Sequence, residues 1–114
     1  MEYIALIHGD DASWESMSDD ERQAVYQRYM DFAARPEVVG GAELQETTTA
    51  TTVRVRNGDT MVTDGPYAEV KEALGGLFIL EAASIDDACS LAAEIPAAEH
   101  GAIEVRPIVV REES

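Results

Sequence analysis

The chain has few cysteines, no long apolar runs and few of the motifs that define several protein classes. Its single cysteine, Cys89, excludes an intramolecular disulfide framework and fits a reducing compartment. Because Cys89 lies in an apolar helical pattern, we predict a buried side chain that only fills space. Apolar runs stay far below the roughly 20 residues of a membrane-spanning helix. We find no convincing metal-ligand spacing, phosphate-binding loop or nucleotide fingerprint, so we expect no metal and no cofactor.

Basic residues are also scarce. The sequence has 23 Asp and Glu against 8 Lys and Arg, which gives a formal net charge of −15. A field of this sign repels phosphate backbones and anionic lipids, so direct binding to nucleic acid or to a membrane is disfavoured. The charge favours solubility, and acid-rich surfaces also occur in halophilic proteins. The N-terminus has no basic region of the kind that opens a signal peptide, so we expect a cytoplasmic protein.

Length and hydrophobic content fit one domain over residues 1–114. The chain has 114 residues, and 46% of them are hydrophobic. The apolar period changes along the chain, with turn or capping residues beside each change. Strands are predicted at 3–7, 37–44, 47–56, 59–63, 76–82 and 102–110, and helices at 19–35 and 85–95.

Several short-range signals support these elements. Ser18 and Glu21 have the spacing of a capping box, and Ser84 can cap the second helix. Asn57-Gly58 is typical of a type I′ turn, which predicts a β-hairpin. The buried stripe of the second helix is predicted to be Ala88, Leu91, Ala92 and Ile95.

The order of elements predicts an α+β fold. It is the split βαβ pattern of a ferredoxin-like antiparallel sheet, with an inserted β-hairpin. Two helices cover one face of such a sheet. The strands at 3–7 and 76–82 are apolar on both sides, so something must cover the other face. A second copy of the chain is the most economical cover, and we therefore expect a homodimer.

The segment TDGPYAEVKEALGG, residues 63–76, concentrates special residues. A structural interpretation explains most of them, because Asp64 and Gly65 are typical turn residues, Gly65 being the conformationally permissive one, and Pro66 can begin a short helical turn through about Leu74. In this interpretation Gly75 and Gly76 end the helical turn. Turn chemistry does not explain Glu69, Lys71 and Glu72.

A functional interpretation makes the same segment one wall of a ligand cleft. Lys71 is the chain's only lysine and could anchor an anionic group or a carbonyl oxygen, while Asp64 could act as a general base. Tyr67 and Glu69 then contribute to ligand binding. The alternative for Lys71 is a surface salt bridge with a neighbouring glutamate.

Four other polar residues are candidates. His8 and His100 are the chain's two histidines and could each act as an acid or base near neutral pH, although structural hydrogen bonds are the alternative. Glu104 and Arg106 stand two residues apart on the last strand, and so share a face. That pair is either a structural network or part of a ligand site.

The sequence resembles a known family. TDGPYAEVKEALGGLFILE (63–81) is similar to the signature of the DGPF branch of the YCII-related family, with Tyr67 in place of Phe. YIALIHGDDASWESMSDDER (3–22) and IPAAEHGAIEVRP (95–107) fit the same family. The resemblance implies a dimeric α+β barrel of ferredoxin-like subunits.

What the resemblance implies about activity is limited. A histidine on the first helix, paired with an aspartate, has been proposed as a catalytic centre in the wider family, and here residues 19–35 contain no histidine. One hypothesis is a cofactor-independent enzyme or binder of a small molecule, with a pocket in the dimer barrel lined by Asp64, Tyr67, Lys71, His100 and Arg106. The alternative is a non-catalytic accessory protein, because the DGPF branch is associated with extracytoplasmic-function sigma factors.

Overall fold

The computed structural model describes residues 1–67 and 72–111. Its strands and helices follow one another in a split βαβ order. They are β1 (Glu2–Gly9), α1 (Asp11–Glu15), α2 (Asp19–Ala33), β2 (Val38–Glu43), β3 (Thr51–Arg56), β4 (Asp59–Asp64), β5 (Ala73–Glu81), α3 (Ile85–Ala92) and β6 (Ala102–Pro107), with 3₁₀ turns at Thr47–Thr49 and Pro96–Glu99.

Four of the strands form the main sheet, in the order β2-β5-β1-β6. Each adjacent pair is antiparallel. Within residues 1–67 and 72–111, strands β3 and β4 pair only with each other, as a separate two-stranded sheet. This arrangement confirms the predicted ferredoxin-like α+β fold with an inserted hairpin.

The core lies between the sheet and the two longer helices. Ala5 of β1 and Leu80 of β5 are fully buried at its centre. Phe32 of α2 packs on these two residues. The α3 helix and the residues that follow it pack beside Phe32 in the same core cluster. The stripe predicted for this second helix is confirmed, since all four of its members are buried: Ala88, Leu91, Ala92 and Ile95.

The opposite face of the sheet, here called the open sheet face, is apolar at its centre. Cross-strand neighbours point to the same side of a sheet, and the register pairs Ile4 with Ile79 and Leu6 with Leu77. These four side chains alternate with those that face the helices, and all are half-buried. Beside them, β6 places Glu104 opposite Leu6 and Arg106 opposite Ile4.

The β3–β4 hairpin turns at Asn57 and Gly58, whose φ angles of 53° and 82° are those of the predicted type I′ turn. It extends from the body of the domain. The radius of gyration is 16.4 Å, whereas a compact domain of this length has about 13 Å. Val53 and Val62 pair directly on one hairpin face and are 61% and 65% exposed.

The structure corrects three sequence predictions. Gly75 and Gly76 do not end a helical turn; they lie within β5, which already begins at Ala73. Gly76 is buried there, and a Cβ on it would lie 2.9 Å from the carbonyl oxygen of Ala42, so this glycine allows β2 to approach. Cys89 is exposed and not buried, because it lies about one-quarter turn away from the buried stripe of α3.

The third correction concerns the bounds of the predicted elements. The strand predicted at 47–56 begins only at Thr51, after a 3₁₀ turn at Thr47–Thr49. The segment before residue 19, where no element was predicted, contains helix α1. Asp10 caps α1 by accepting a hydrogen bond from the Ala12 backbone N–H at 2.9 Å. The last strand ends at Pro107 and does not extend to residue 110. The capping box of Ser18 and Glu21 at the start of α2 is confirmed.

We predict that Gly101→Ala destabilises the fold. A Cβ at this position would lie 2.1 Å from the backbone oxygen of His8, so β1 and the turn before β6 would have to separate. We expect the free energy of unfolding to fall by about 1–3 kcal/mol, measured by urea denaturation. Gly9→Ala is the matched control, because no atom lies within 4 Å of its Cβ position. Equal losses in the two variants would contradict the steric explanation.

Candidate functional site

A large cleft lies between α2 and the β2–β5 side of the sheet. Its volume is about 1100 Å³. Helix α1 borders one end, the 3₁₀ turn at Pro96–Glu99 borders the other, and the 3₁₀ turn at Thr47–Thr49 contributes to the rim. The lining is predominantly apolar, and its aromatic and methionine side chains are Trp14, Met17, Tyr26, Tyr29, Met30 and Phe78.

Helix α1 is held to α2 by an aromatic contact. The rings of Trp14 and Tyr26 meet edge to face, with centroids 5.2 Å apart. Arg22 lies over the Trp14 ring at 5.7 Å, and its guanidinium donates to the backbone oxygens of Trp14 and Glu15 at 3.2 and 3.0 Å. Trp14 is thereby fixed as part of the cleft wall.

Tyr29 is a half-buried polar group within the aromatic lining. Its ring stacks on Phe78, with centroids 6.4 Å apart, and Phe78 in turn contacts Phe32 edge to face at 5.0 Å. Burial raises the pKa of the Tyr29 hydroxyl, a hydrogen bond to the Ala97 backbone opposes that rise, and the nearby Glu43 carboxylate adds to it. The hydroxyl is therefore a neutral hydrogen-bonding group at physiological pH.

Arg28 and Glu99 link α2 to the 3₁₀ turn at the end of the cleft. The guanidinium donates two hydrogen bonds to the carboxylate, at 2.8 and 3.0 Å. This bidentate pair lowers the pKa of Glu99 and raises that of Arg28, in each case chiefly through the hydrogen bonds. Both side chains are solvent-exposed, so the pair fixes geometry more than it stabilises the fold.

The described residues that the sequence predicted as a site lie in three parts of the fold. His100 follows the 3₁₀ turn and lines the cleft. Asp64 ends β4 and Tyr67 follows shortly after it; both are exposed, and Arg54 lies over the Tyr67 ring at 5.4 Å. His8, Glu104 and Arg106 are on the open sheet face, where His8 Nε2 is 3.2 Å from Glu104 Oε1.

Two predicted site residues, Glu69 and Lys71, lie outside the described residues. The described part of the turn keeps one predicted feature, since Gly65 has a φ of 108°. Its N–H donates to the Ala50 oxygen at 2.7 Å, and the hydroxyl of Thr52 donates to the Gly65 oxygen at 2.8 Å. These bonds anchor the base of the hairpin to the Asp-Gly-Pro turn.

Sequence reasoning missed the aromatic lining of the cleft. Val25, Tyr29 and Phe32 follow helical spacing, which is typical of a core stripe, but only Phe32 is buried. A signal was present in α2, where Tyr26 and Met30 add apolar surface beyond what one core-facing stripe needs. Trp14 could not be found in this way, because it lies in a segment without an apolar period.

Two negative findings apply to residues 1–67 and 72–111. Within these ranges no three His, Cys, Asp or Glu side chains are grouped as metal ligands. No helix there is both long enough and apolar enough to cross a bilayer.

Comparison with known proteins agrees with the fold. The sheet and its helical layer define a ferredoxin-like α+β domain, and a model of the YCII-related domain matches residues 1–112. An uncharacterized protein of Rhizobium meliloti (strain 1021) is 36% identical over 120 residues, which cover 96% of this chain and 94% of the relative. The chain belongs to the YCII-related family. Its place in the DGPF branch stays a prediction.

We predict that Tyr29→Phe changes how stability depends on pH. Near pH 8 the variant should lose about 0.5–1.5 kcal/mol of unfolding free energy with the hydrogen bond to Ala97. Because the folded pKa is raised above the ordinary 10.0, the unfolded state loses its proton first. The wild type therefore loses stability as the pH rises past 10.0, and its advantage over the variant should shrink.

Urea titrations of both proteins at pH 8 and above pH 10 test this expectation. The other tyrosines are present in both proteins, so their contributions cancel in the comparison. If the difference in unfolding free energy between the wild type and the variant stays constant or widens as the pH rises, the burial of the Tyr29 hydroxyl is contradicted.

Proposed function

We propose that the protein binds a small, largely apolar organic molecule in the cleft between α2 and the sheet. The single observation that carries this proposal is a concave, aromatic-lined space of about 1100 Å³. Ligand sites in proteins are typically clefts of about 300–1,000 Å³ with mostly apolar walls and a few polar groups. Tyr29 and His100 supply such polar groups here.

The loose packing of α2 supports the same proposal. Of its 15 residues only Phe32 is buried, although Val25 and Tyr29 share the helical face that points to the sheet. Met30 and Tyr26 stay 65% and 45% exposed beside the cleft. Apolar surface left exposed in this way commonly marks a site that is covered by a ligand or partner.

The cleft also contains the groups that simple acid–base chemistry requires. His100 is an imidazole at the rim, where it could exchange a proton near neutral pH. Tyr29 could donate a hydrogen bond to a carbonyl or hydroxyl oxygen of the bound molecule. The protein is thus proposed as a binder that could also be a cofactor-independent enzyme.

This proposed site differs from the pocket predicted from sequence. Of the described residues predicted for the dimer-barrel pocket, His100 lines the cleft, whereas Asp64, Tyr67 and Arg106 do not. Those three could join a ligand site only if another chain brings them near one. They are kept as candidates for that assembly.

We also propose a homodimer formed through the open sheet face. Ile4, Leu6, Leu77 and Ile79 make its centre apolar, while the buried residues of α2 and α3 pack on the other side. A self-complementary contact between two such faces would bury these side chains. It would give the dimeric α+β barrel that the family resemblance implies.

A second candidate function is a non-catalytic accessory role, in the regulatory setting that the DGPF resemblance implies. One observation favours it. Val53, Val55 and Val62 form an exposed apolar face on the hairpin, away from the cleft. A protein partner could cover that face.

Val25→Phe tests the cleft. The larger side chain should fill part of the space next to Tyr29 and weaken binding of neutral aromatic probes such as 2-phenylethanol at least about fivefold, which corresponds to about 1 kcal/mol. Ala24→Phe is the matched control, because Ala24 is the preceding residue of α2, is exposed and does not line the cleft. Binding can be followed by fluorescence of Trp14, the only tryptophan. Equal weakening by both variants would contradict a site in the cleft.

Ile79→Lys tests the dimer. The cross-strand neighbours of Ile79 are Ile4 and Gly40, so a new ammonium there has no carboxylate directly opposite. It could not be buried without a partner charge, and the variant should be monomeric where the wild type is dimeric. Ser90→Lys adds the same charge on the exposed side of α3 and should leave the dimer intact. Light scattering or sedimentation at micromolar concentration gives the readout. A monomeric wild type would refute the proposed dimer.

A further inference from the structure

The charged groups that line the cleft are mainly acidic. Asp10, Glu43 and Glu46 contribute carboxylates, and Arg28 is the one guanidinium among the described lining residues. We infer that the cleft selects an aromatic amine that binds as a cation, an inference that rests on the ligand-binding function proposed above.

Two of the three carboxylates are free to face a ligand. Asp10 accepts the capping hydrogen bond from Ala12 N–H. In the described part of the chain the carboxylates of Glu43 and Glu46 have no hydrogen-bond or salt-bridge partner. Glu43 nevertheless acts inside the cleft, because its charge contributes to raising the pKa of Tyr29. A ligand ammonium beside Tyr29 would be attracted by the same field.

The positive charge in the lining is already satisfied. Both terminal nitrogens of Arg28 are bonded to Glu99, so little of its charge is left for a ligand anion. The other basic group in the lining is His100, an imidazole, which is not a permanent cation as a guanidinium is. The net charge of −15 on the whole chain adds a long-range field of the same sign. A carboxylate or phosphate ligand would therefore meet repulsion both on approach and in the cleft.

The aromatic lining suits the rest of such a ligand. The edge-to-face pair of Trp14 and Tyr26 and the stacked pair of Tyr29 and Phe78 offer flat π surfaces on two walls. Trp14 already holds one cation, the Arg22 guanidinium, over its ring. Ring faces attract ammonium groups as well as other rings. A molecule with an aromatic ring and a protonated amine would use both properties of the lining.

Three probes of similar shape and different charge test the inference. These are 2-phenylethylamine, which is cationic at pH 7.5, 2-phenylethanol, which is neutral, and phenylacetate, which is anionic. Titrations follow the fluorescence of Trp14 in the intact protein at low ionic strength. With two free carboxylates in the lining, we expect the amine to bind roughly tenfold more tightly than the anion, with the alcohol between them.

The carboxylates are tested by the double variant Glu43→Gln, Glu46→Gln. It should remove most of the preference for the amine and leave binding of the alcohol within about twofold, since only a charge term is lost. The control is Glu2→Gln with Asp86→Asn, which removes the same charge from exposed positions outside the cleft. The control protein should keep the preference.

The outcomes separate this inference from the function on which it rests. Tightest binding of the alcohol or of phenylacetate would overturn the inference and leave the proposed cleft standing. A preference for the amine that survives in the glutamine variant, or that the control variant also loses, would overturn the assignment to Glu43 and Glu46. If none of the three probes changes the fluorescence of Trp14, both the inference and the proposed function fail.

Discussion

The fold depends on the contact between the centre of the sheet and the segment that begins with α3. Ala5 and Leu80 lie on neighbouring strands at that centre and are fully buried, as is Ile95 beyond the end of α3. Small residues along α3, such as Ala88 and Ala92, let the helix approach the strands closely. Much of the apolar burial of a 114-residue chain is concentrated here, so the rest of the helical layer is less constrained.

The other half of that layer is looser, and the cleft results from the difference. Phe32 fixes α2 near its C-terminal end, where it contacts Phe78. Toward its N-terminal end, α2 carries larger side chains than the alanines of α3. The polar contacts of Arg22 at this end are made with α1 and not with the sheet. Helix α2 is thus attached at one end to the core and at the other to a five-residue helix. The space between these attachments is lined by aromatic rings that would otherwise have completed the core.

Short-range chemistry explains which parts of the structure the sequence could predict. The Asn57-Gly58 turn, the Ser18 capping box and the α3 stripe each depend on residues within a few positions of one another. Helix α1 could not be predicted, because it is short and is stabilised by Arg22 from another helix. Gly75 and Gly76 of β5 were wrongly predicted to end a helical turn for a related reason. The close approach of the Ala42 carbonyl to Gly76 is a tertiary contact, and a glycine required by such a contact looks the same in the sequence as a glycine that ends a helix.

The candidate site also depends on tertiary contacts that the sequence does not show, and to a greater degree than the fold does. Strand β1 explains why. Its alternation sends Ile7 toward the cleft and Leu6 and His8 toward the open sheet face, so residues only one position apart belong to opposite sides of the sheet. Its pairing with β5 shifts between Ile7 and His8, where the cleft and the polar part of the open face come closest along the chain. Sequence could identify His8, His100, Glu104 and Arg106 as chemically capable residues. The register of β1 and β6 brings His8, Glu104 and Arg106 together on the face that a partner chain would cover in the proposed dimer. His100 precedes β6 and lies beside the cleft instead.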